Sequence, residues 1–405
     1  MSQTTSQSNL KTIHDLKLTG KSLFLRLDFN VPLSPPDASG ERAIEDDSRI
    51  QEALPTLRYA IEKGARLVLA SHLGRPGGKK RPELSLEPVA HRLAALLDQE
   101  VTLADDCTGD GIELMVQGLK NGQILLLENL RFHPEEEAND PDFSKRLARL
   151  GQVYITDAFG TAHRKHASTY GVPSLILERG MGFLIEKELR FFDTLLHQPK
   201  RPFYAVLGGS KVSDKIKAIE SLVRRVDGIL VGGSMAHAFW AAQGDSLPAG
   251  TKLPKQEDID AARSIMRDAK RREIKVLTPL DTNNGFDIGP KTVQKFIDVL
   301  SEAQTIFWNG PLGWFEKPEY CSGTFEIAKA LAEMKAIKIA GGGETVSAIK
   351  KAGTGVAERF DHLSTGGGAV LEYLEGNGLP GIDILRLNQR QLIQIQSAFE
   401  ESFEE

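Results

Sequence analysis

The chain has 405 residues, 40% hydrophobic and 26% charged, which suits a soluble globular protein with more than one core. Lys plus Arg total 50 against 55 Asp plus Glu, a net charge of −5, so no basic field is present to hold nucleic acid. The two cysteines, Cys107 and Cys321, lack C-x-x-C spacing, so neither a disulfide framework nor a zinc site is expected and a reducing cytoplasm fits.

Residues 1–9 are polar and do not read as a signal peptide, and no apolar stretch reaches the roughly 20 residues that cross a bilayer. Residues 22–29 read as a strand that delivers Asp28 and Asn30 into a Pro-rich loop. Asp46 and Asp47 suit the cap of a helix with Arg49 in its first turn and Gly64 at its end. A strand over 66–71, a loop from His72 to Pro76 and a helix over 87–97 follow. Strand signals recur at 101–104, 123–128 and 153–156, with helical segments between them. This alternation predicts a parallel, doubly wound sheet covered on both faces. An amphipathic run over 182–200 reads as an interdomain helix. After it the alternation restarts at 203–207, 228–231, 274–277, 305–308 and 336–340, a second doubly wound sheet. The predicted domains are 1–183, a linking helix over 184–200, 201–385, and a tail over 386–405.

The two halves differ in what they place after their strands. In the first, polar and basic residues gather there: Asp28 and Asn30; His72 and Arg75; Glu128, Asn129 and Arg131; Asp157, His163 and Arg164; with Arg49 from a helix start. Ligands of open parallel sheets bind outside the carboxyl ends of the strands, and guanidinium groups collected there suit a small anion. Arg26, inside its strand, reads instead as the structural partner of a neighbouring acid.

In the second half, glycines occupy the same places: Gly208 and Gly209; Gly232 and Gly233; Gly310 and Gly313; Gly341, Gly342 and Gly343; and Gly366, Gly367 and Gly368. Such turns let a polyphosphate and a flat base approach the backbone, and Lys211 and Lys215 add charge beside a helix start. This is not a Walker A loop, because its G-x-x-x-x-G-K-[ST] spacing is absent. Glu344 is a natural oxygen ligand for a Mg2+ ion bridging phosphates. The G-x-G-x-x-G match at 376–381 contains a proline and follows a helical segment, so it reads as a loop. His163 and His166 have no third metal ligand at suitable spacing.

An anion half beside a nucleotide half is the layout of a phosphotransferase that closes on two substrates. No nucleophile elbow or protein-kinase signature is present. If the acceptor is a carboxylate, it is already ionised near pH 7 and needs no general base. On the residues alone, a kinase of some other small acid and a nucleotide-binding protein without transfer activity remain open.

The stretches Leu27-Asp28-Phe29-Asn30-Val31-Pro32, Ser71-His72-Leu73-Gly74-Arg75-Pro76, Glu128-Asn129-Leu130-Arg131-Phe132 and Asp157-Ala158-Phe159-Gly160-Thr161-Ala162-His163-Arg164 lie in the first half. Gly208-Gly209-Ser210-Lys211-Val212-Ser213-Asp214-Lys215, Trp308-Asn309-Gly310-Pro311 and Ser364-Thr365-Gly366-Gly367-Gly368-Ala369 lie in the second. In this order and combination, over about residues 20–380, they resemble the phosphoglycerate kinase family.

The resemblance implies transfer of the acyl phosphate of 1,3-bisphosphoglycerate to MgADP, giving 3-phosphoglycerate and ATP, in glycolysis, by a monomer that closes its two domains. It implies that Asp28, Asn30, Arg49, His72, Arg75, Arg131 and Arg164 bind the acid. Lys211, Lys215, Gly342, Gly343, Glu344 and Thr345 would hold the nucleotide phosphates, with adenine and ribose near Gly209, Gly233, Gly285, Gly310 and Glu316. Arg49 and Lys211 would stabilise the transferring phosphoryl group, and the tail would pack back on the first domain. Three positions depart from the family pattern: Glu344 replaces the usual Asp, Ser234 a frequent glycine and Thr156 a common Asn.

Overall fold

A computed structural model describes residues 10–37, 42–248 and 251–401, with side chains up to residue 395. The predicted polar start, residues 1–9, and the last residues of the tail, 402–405, lie outside the described residues. The chain divides into two compact units, residues 1–188 with 378–405 and residues 189–377.

In the first unit the elements are β1 (Ser22–Arg26), α1 (Ser48–Glu62), β2 (Arg66–Ala70), α2 (Glu87–Leu97), β3 (Val101–Leu103), α3 (Asp110–Gly118), β4 (Ile124–Leu126), α4 (Pro134–Ala138), α5 (Pro141–Ala148), β5 (Val153–Thr156), α6 (Val172–Leu175) and β6 (Arg179–Met181). Continuous apolar strands such as Ser22–Arg26 are buried on both faces, which is why they pair in parallel rather than alternate. The strand order is β3-β4-β2-β1-β5-β6. Leu23 pairs with Leu67 on one side and Val153 on the other. The chain starts in the middle, at β1, and changes direction there, so the switch point of this sheet lies between β1 and β5. The predicted strand 22–29 ends at Arg26, because Phe29 donates its N–H to the Ser71 hydroxyl (2.8 Å) rather than to a ladder partner. At the start of α1, Asp46 accepts the N–H of Ser48 at 2.8 Å, while the Asp47 side chain turns to Arg92.

The helix predicted over 182–200 is α7 (Phe183–His197). Its start is held by Asp157, just past β5. One carboxylate oxygen accepts the Thr56 hydroxyl at 2.5 Å and the other the Ile185 N–H at 3.0 Å. The unit boundary falls within this helix, after Glu188.

The second unit runs β7 (Phe203–Leu207), α8 (Ile216–Val223), β8 (Gly228–Val231), α9 (Met235–Gln243), α10 (Gln256–Arg271), β9 (Lys275–Leu277), the hairpin β10 (Thr282–Asn283) and β11 (Asp287–Ile288), α11 (Pro290–Leu300), β12 (Thr305–Asn309), α12 (Ser322–Glu333), β13 (Ile337–Gly341), α13 (Gly343–Lys351), β14 (His362–Ser364) and α14 (Gly367–Glu375). Its sheet is again six-stranded and parallel, in the order β14-β13-β12-β7-β8-β9, with the switch point between β7 and β12. Trp308, Phe296, Leu331 and Ile327 form the centre of its core.

Residues 378–401 join the first unit through α15 (Pro380–Arg386) and α16 (Gln389–Glu401). The sequence had placed residues up to 385 in the second domain. Gly381 donates its N–H to the Ala162 carbonyl at 2.8 Å, and Arg179 donates to the carbonyls of Ile384 and Leu387, which fixes α15 on the first sheet's side. Among the described residues, no helix is long and apolar enough to cross a membrane.

Burial raises the Asp157 carboxyl to about 7, against the hydrogen bonds from Thr56, Ile185 and Leu184 that pull it down. An unfolded aspartate titrates near about 4. Between about pH 4 and 7 the native state therefore keeps a proton that the unfolded chain has released, and stability declines with rising pH across that window. Asp157→Asn lacks this titration. In urea unfolding followed by circular dichroism, the wild type should lose stability relative to the variant from pH 4 to 7 and then level off; a pH-independent difference would contradict the assignment.

Candidate active site

At the switch point of the first sheet, Asp28 follows β1 and pairs with Arg49 from the first turn of α1. Burial raises the Asp28 carboxyl, but the Arg49 and Arg26 guanidinium groups and the Asn30 N–H outweigh it and bring it down to about 2. Asp28 is therefore ionised across the neutral range and holds Arg49 in place. The Asn30 amide oxygen accepts the N–H of Gly74 at 2.8 Å, which joins the loop after β1 to the loop after β2. His72 is buried, with Nδ1 3.4 Å from the Arg26 guanidinium. Burial, together with Arg26, Arg131 and Arg49, keeps its ring neutral against the pull of Asp28.

Arg131 is 5% exposed, donates to the Gly74 carbonyl at 2.9 Å and pairs with Glu137 at 3.1 Å. Arg164 is half-buried and lies 3.2 Å from His163 Nε2. Burial and Arg164 bring His163 down to about 4. Burial, then Arg26, Arg131 and Arg164, bring His166 to about 3. Arg75 is exposed and has no ion-pair partner among the described residues. The loops thus gather the guanidinium groups of Arg49, Arg131 and Arg164 near Arg26, and their charge adds to burial in lowering His72, His163 and His166. Such a field can hold a small polyanion.

Some strand-end residues have other work. The Glu128 carboxylate accepts the Ser85 hydroxyl at 2.7 Å and the N–H groups of Leu86 and Asn129 at 2.9 and 2.7 Å. Asn129 bridges Leu73 and Leu84 through its side chain. Both build the loops, as Asp157 builds the start of α7. The acid expected beside Arg26 acts through a hydroxyl: Arg26 Nε donates to Ser168 at 2.8 Å, and Ser168 donates to Glu136 at 2.6 Å.

In the second unit the glycine turns meet at the switch point between β7 and β12. Gly208 donates to the Asn309 carbonyl and Gly209 to the Pro311 carbonyl, each at 2.9 Å. A Cβ on Gly310, where φ is +94°, would lie 2.2 Å from the Gly208 carbonyl oxygen, so no other residue fits there. Gly233 packs against the same turn, 2.9 Å from the Pro311 carbonyl by the same measure. Lys215 Nζ is 3.1 Å from the Gly208 carbonyl, and burial lowers it to about 8 although Glu344 and Asp214 favour its charge. Lys211 is half-exposed and lies 3.5 Å from Asp214.

Gly342 precedes α13, Gly343 opens it, and Glu344 stands exposed in its first turn, where a side-chain carboxylate suits the helix dipole. The Thr345 hydroxyl is buried and already engaged, accepting the Gly310 N–H at 2.7 Å and donating to the Gly341 carbonyl at 3.0 Å. Gly285 turns the hairpin between β10 and β11 with φ of +76° and accepts His237 Nε2 at 3.0 Å. A narrow cleft with no room for a water molecule brings Gly233 and Gly285 together and is walled by His237, Trp240, Pro279 and Leu312. Sequence reasoning missed this wall, since Met-Ala-His-Ala-Phe-Trp reads as an ordinary core helix. Glu316 is exposed beyond β12.

Both units are open parallel sheets with their distinctive chemistry at the switch points, the class of α/β protein that binds anions and nucleotides at strand ends. A sequence model described as Phosphoglycerate kinase matches residues 13–285 and 281–377. The chain is 47% identical over 398 residues to the phosphoglycerate kinase of Anaeromyxobacter sp. (strain K), covering 92% of this chain and 98% of that one. It is 47% identical over 401 residues to that of Chlorobaculum tepidum, covering 93% and 99%. The structure of phosphoglycerate kinase from Coxiella burnetii superposes with a TM-score of 0.80 at 36% identity, over 93% of this chain and 98% of that one. The chain belongs to the phosphoglycerate kinase family, enzymes that transfer a phosphoryl group with a carboxyl group as acceptor.

Thr345→Val should leave the buried Gly310 N–H without its acceptor and cost about 1–3 kcal/mol. Thr345→Ser should recover most of that loss. All three tryptophans, Trp240, Trp308 and Trp314, lie in the second unit, so tryptophan fluorescence during urea unfolding reads this unit alone. Equal midpoints for Thr345→Val and the wild type would show that the hydroxyl does not hold the turn.

Proposed function

We propose that this chain catalyses reversible transfer of the acyl phosphate of 1,3-bisphosphoglycerate to MgADP, giving 3-phosphoglycerate and ATP, as a step of glycolysis. The observation that carries the reading is the gathering of Arg49, Arg131 and Arg164 around Asp28, Asn30 and His72 at the carboxyl ends of the first sheet, where their charge adds to burial in holding His72, His163 and His166 below their ordinary range. An acid that carries both a carboxylate and a phosphate needs such a field and offers no proton to be removed. Its carboxylate is already ionised, so transfer between two anions requires charge rather than a base.

In this reading the first unit is the acid-substrate domain and the second the nucleotide domain. Asp28, Asn30, Arg49, His72, Arg75, Arg131 and Arg164 bind the acid, with Asp28 orienting Arg49 and Asn30 tying two of the loops. Arg49 and Lys211 supply charge to the transferring phosphoryl group. Lys215 and the N–H groups opening α13 (Gly343, Glu344, Thr345, after Gly342) receive the nucleotide phosphates. Gly209, Gly233, Gly285, Gly310 and Glu316 border the base and ribose. Glu344 fits a Mg2+ ion held mainly by substrate phosphates: its carboxylate is exposed and has no ion-pair partner among the described residues. When bound, Mg2+ neutralises phosphate charge. The enzyme works as a cytoplasmic monomer on small molecules, without nucleic acid or membrane, in keeping with its net charge of −5.

The reaction is tested by MgATP-dependent ADP release with 3-phosphoglycerate as acceptor. Arg49→Ala should lower kcat by about 10²-fold or more. Glycerate, which lacks the phosphate, should be a far poorer acceptor, and equal turnover with the two acids would overturn the substrate assignment. A second variant addresses the metal. Glu344→Asp should keep kcat and shift the apparent MgADP affinity; an unchanged nucleotide titration would remove Glu344 from the metal's surroundings.

A further inference from the structure

The turn after β3 and the turn after β4 meet at one edge of the first sheet, where the two strands pair in parallel. There Asp106, Cys107 and His133 bring a carboxylate oxygen, a thiol sulfur and an imidazole nitrogen within 4.8 Å of one another. His133 Nε2 is 2.6 Å from Asp106 Oδ1, which also accepts the Cys107 N–H at 2.6 Å. The sulfur is fully buried, 3.0 Å from the Glu128 carbonyl, and the His133 ring stacks on Phe143 at 5.1 Å. Asp106 is exposed, so the cluster is firm on its inner side and open to solvent on its outer side.

The donor set is selective. Mg2+ and Ca2+ take oxygen ligands and avoid sulfur, whereas Zn2+ is bound by thiolate, imidazole and carboxylate together. Three protein donors leave a fourth tetrahedral position for water. Burial first, then the carboxylates of Asp106, Glu136 and Glu128 against Lys80, hold the Cys107 thiol well above its ordinary range, so a cation that binds there must displace the thiol proton. We propose that Asp106, Cys107 and His133 form a binding site for one borderline-soft divalent cation of the Zn2+ kind.

Coordination forms a metal–sulfur bond and releases the thiol proton to solvent. The His133 Nε2–H that donates to the Asp106 carboxylate must give up its proton, which returns to the ring at Nδ1, so that Nε2 and the carboxylate exchange their hydrogen bond for two metal bonds. The site is separate from the residues proposed for the reaction. It would clasp the β3 turn to the segment that carries Arg131, two residues before His133. Sequence spacing gave no sign of it, because the set holds one cysteine and His133 lies 26 residues after Cys107 and 27 after Asp106.

The test is a titration of the metal-free, full-length protein with Co2+, which reports thiolate ligation by a charge-transfer absorption. One Co2+ per chain should bind with that band, and Zn2+ should displace it. Cys107→Ser should abolish the band, His133→Asn should weaken binding by about tenfold or more, and Cys321→Ser should change neither. Circular dichroism checks that each variant is folded. Should Cys107→Ser fail to fold, His133→Asn and Asp106→Asn, on the more open side of the cluster, decide the matter by their affinities. A saturated protein without the thiolate band, a band that survives in Cys107→Ser or follows Cys321, or unweakened binding in His133→Asn would overturn the proposal.

Discussion

Arg26 sets the terms for the first unit. It lies inside β1 with 1% of its surface exposed, and a buried ion left unpaired costs several kcal/mol. The chain meets that cost with a relay: Arg26 donates to Ser168, and Ser168 donates by both hydroxyl and N–H to Glu136, itself 1% exposed. Burial raises the Glu136 carboxyl and Arg26 pulls it back, so each group makes the other tolerable. The relay pins residues 167–171 and α4 against the central strand. The same guanidinium opposes protonation of His72 and His166. A structural charge is therefore also part of the site's field.

The second unit solves a different problem with different material. Its two switch-point turns approach backbone to backbone, and a Cβ on Gly208 would stand 2.1 Å from the Pro311 carbonyl oxygen. Nothing with a side chain can close that gap, so the edge is lined by peptide groups. Positive charge there comes from the N–H groups at the start of α13 and from lysines, which carry a point charge on a flexible stem rather than a fixed fork. The floor suits a ligand that lies flat along the backbone, whereas the first unit suits one gripped from several sides.

The parallel sheets were legible because the central strands are unbroken apolar runs separated by helical spacing, as at 22–26 and 203–207. The short strand β6, Arg-Gly-Met, and the two-residue hairpin strands carry no such run, and tertiary contacts alone make them strands. The strand-end arginines and glycines could be picked out because topology alone puts them on one edge. What sequence could not separate was a polar residue facing a ligand from one building a loop. Glu128, Asn129 and Asp157 sit at the same kind of position as Asp28, yet their side-chain partners are backbone amides and hydroxyls of their own scaffold. The cleft wall at His237 and Trp240 stayed hidden for the opposite reason, since a histidine in an apolar helix looks like core.

The charges gathered at the two sheet edges are mostly beyond the reach of ordinary pH. Guanidinium groups keep their protons, Asp28 at about 2 keeps none, and His163 and His166 at about 4 and 3 are neutral. Such a constellation cannot pass protons near neutrality, and phosphoryl transfer onto an ionised carboxylate does not ask it to. Lys215 differs, since burial brings it to about 8 even with Glu344 and Asp214 nearby. A polyphosphate beside it would restore the charge that burial weakens. A phosphate chain in the proposed nucleotide site would thus couple its own binding to the protonation of Lys215.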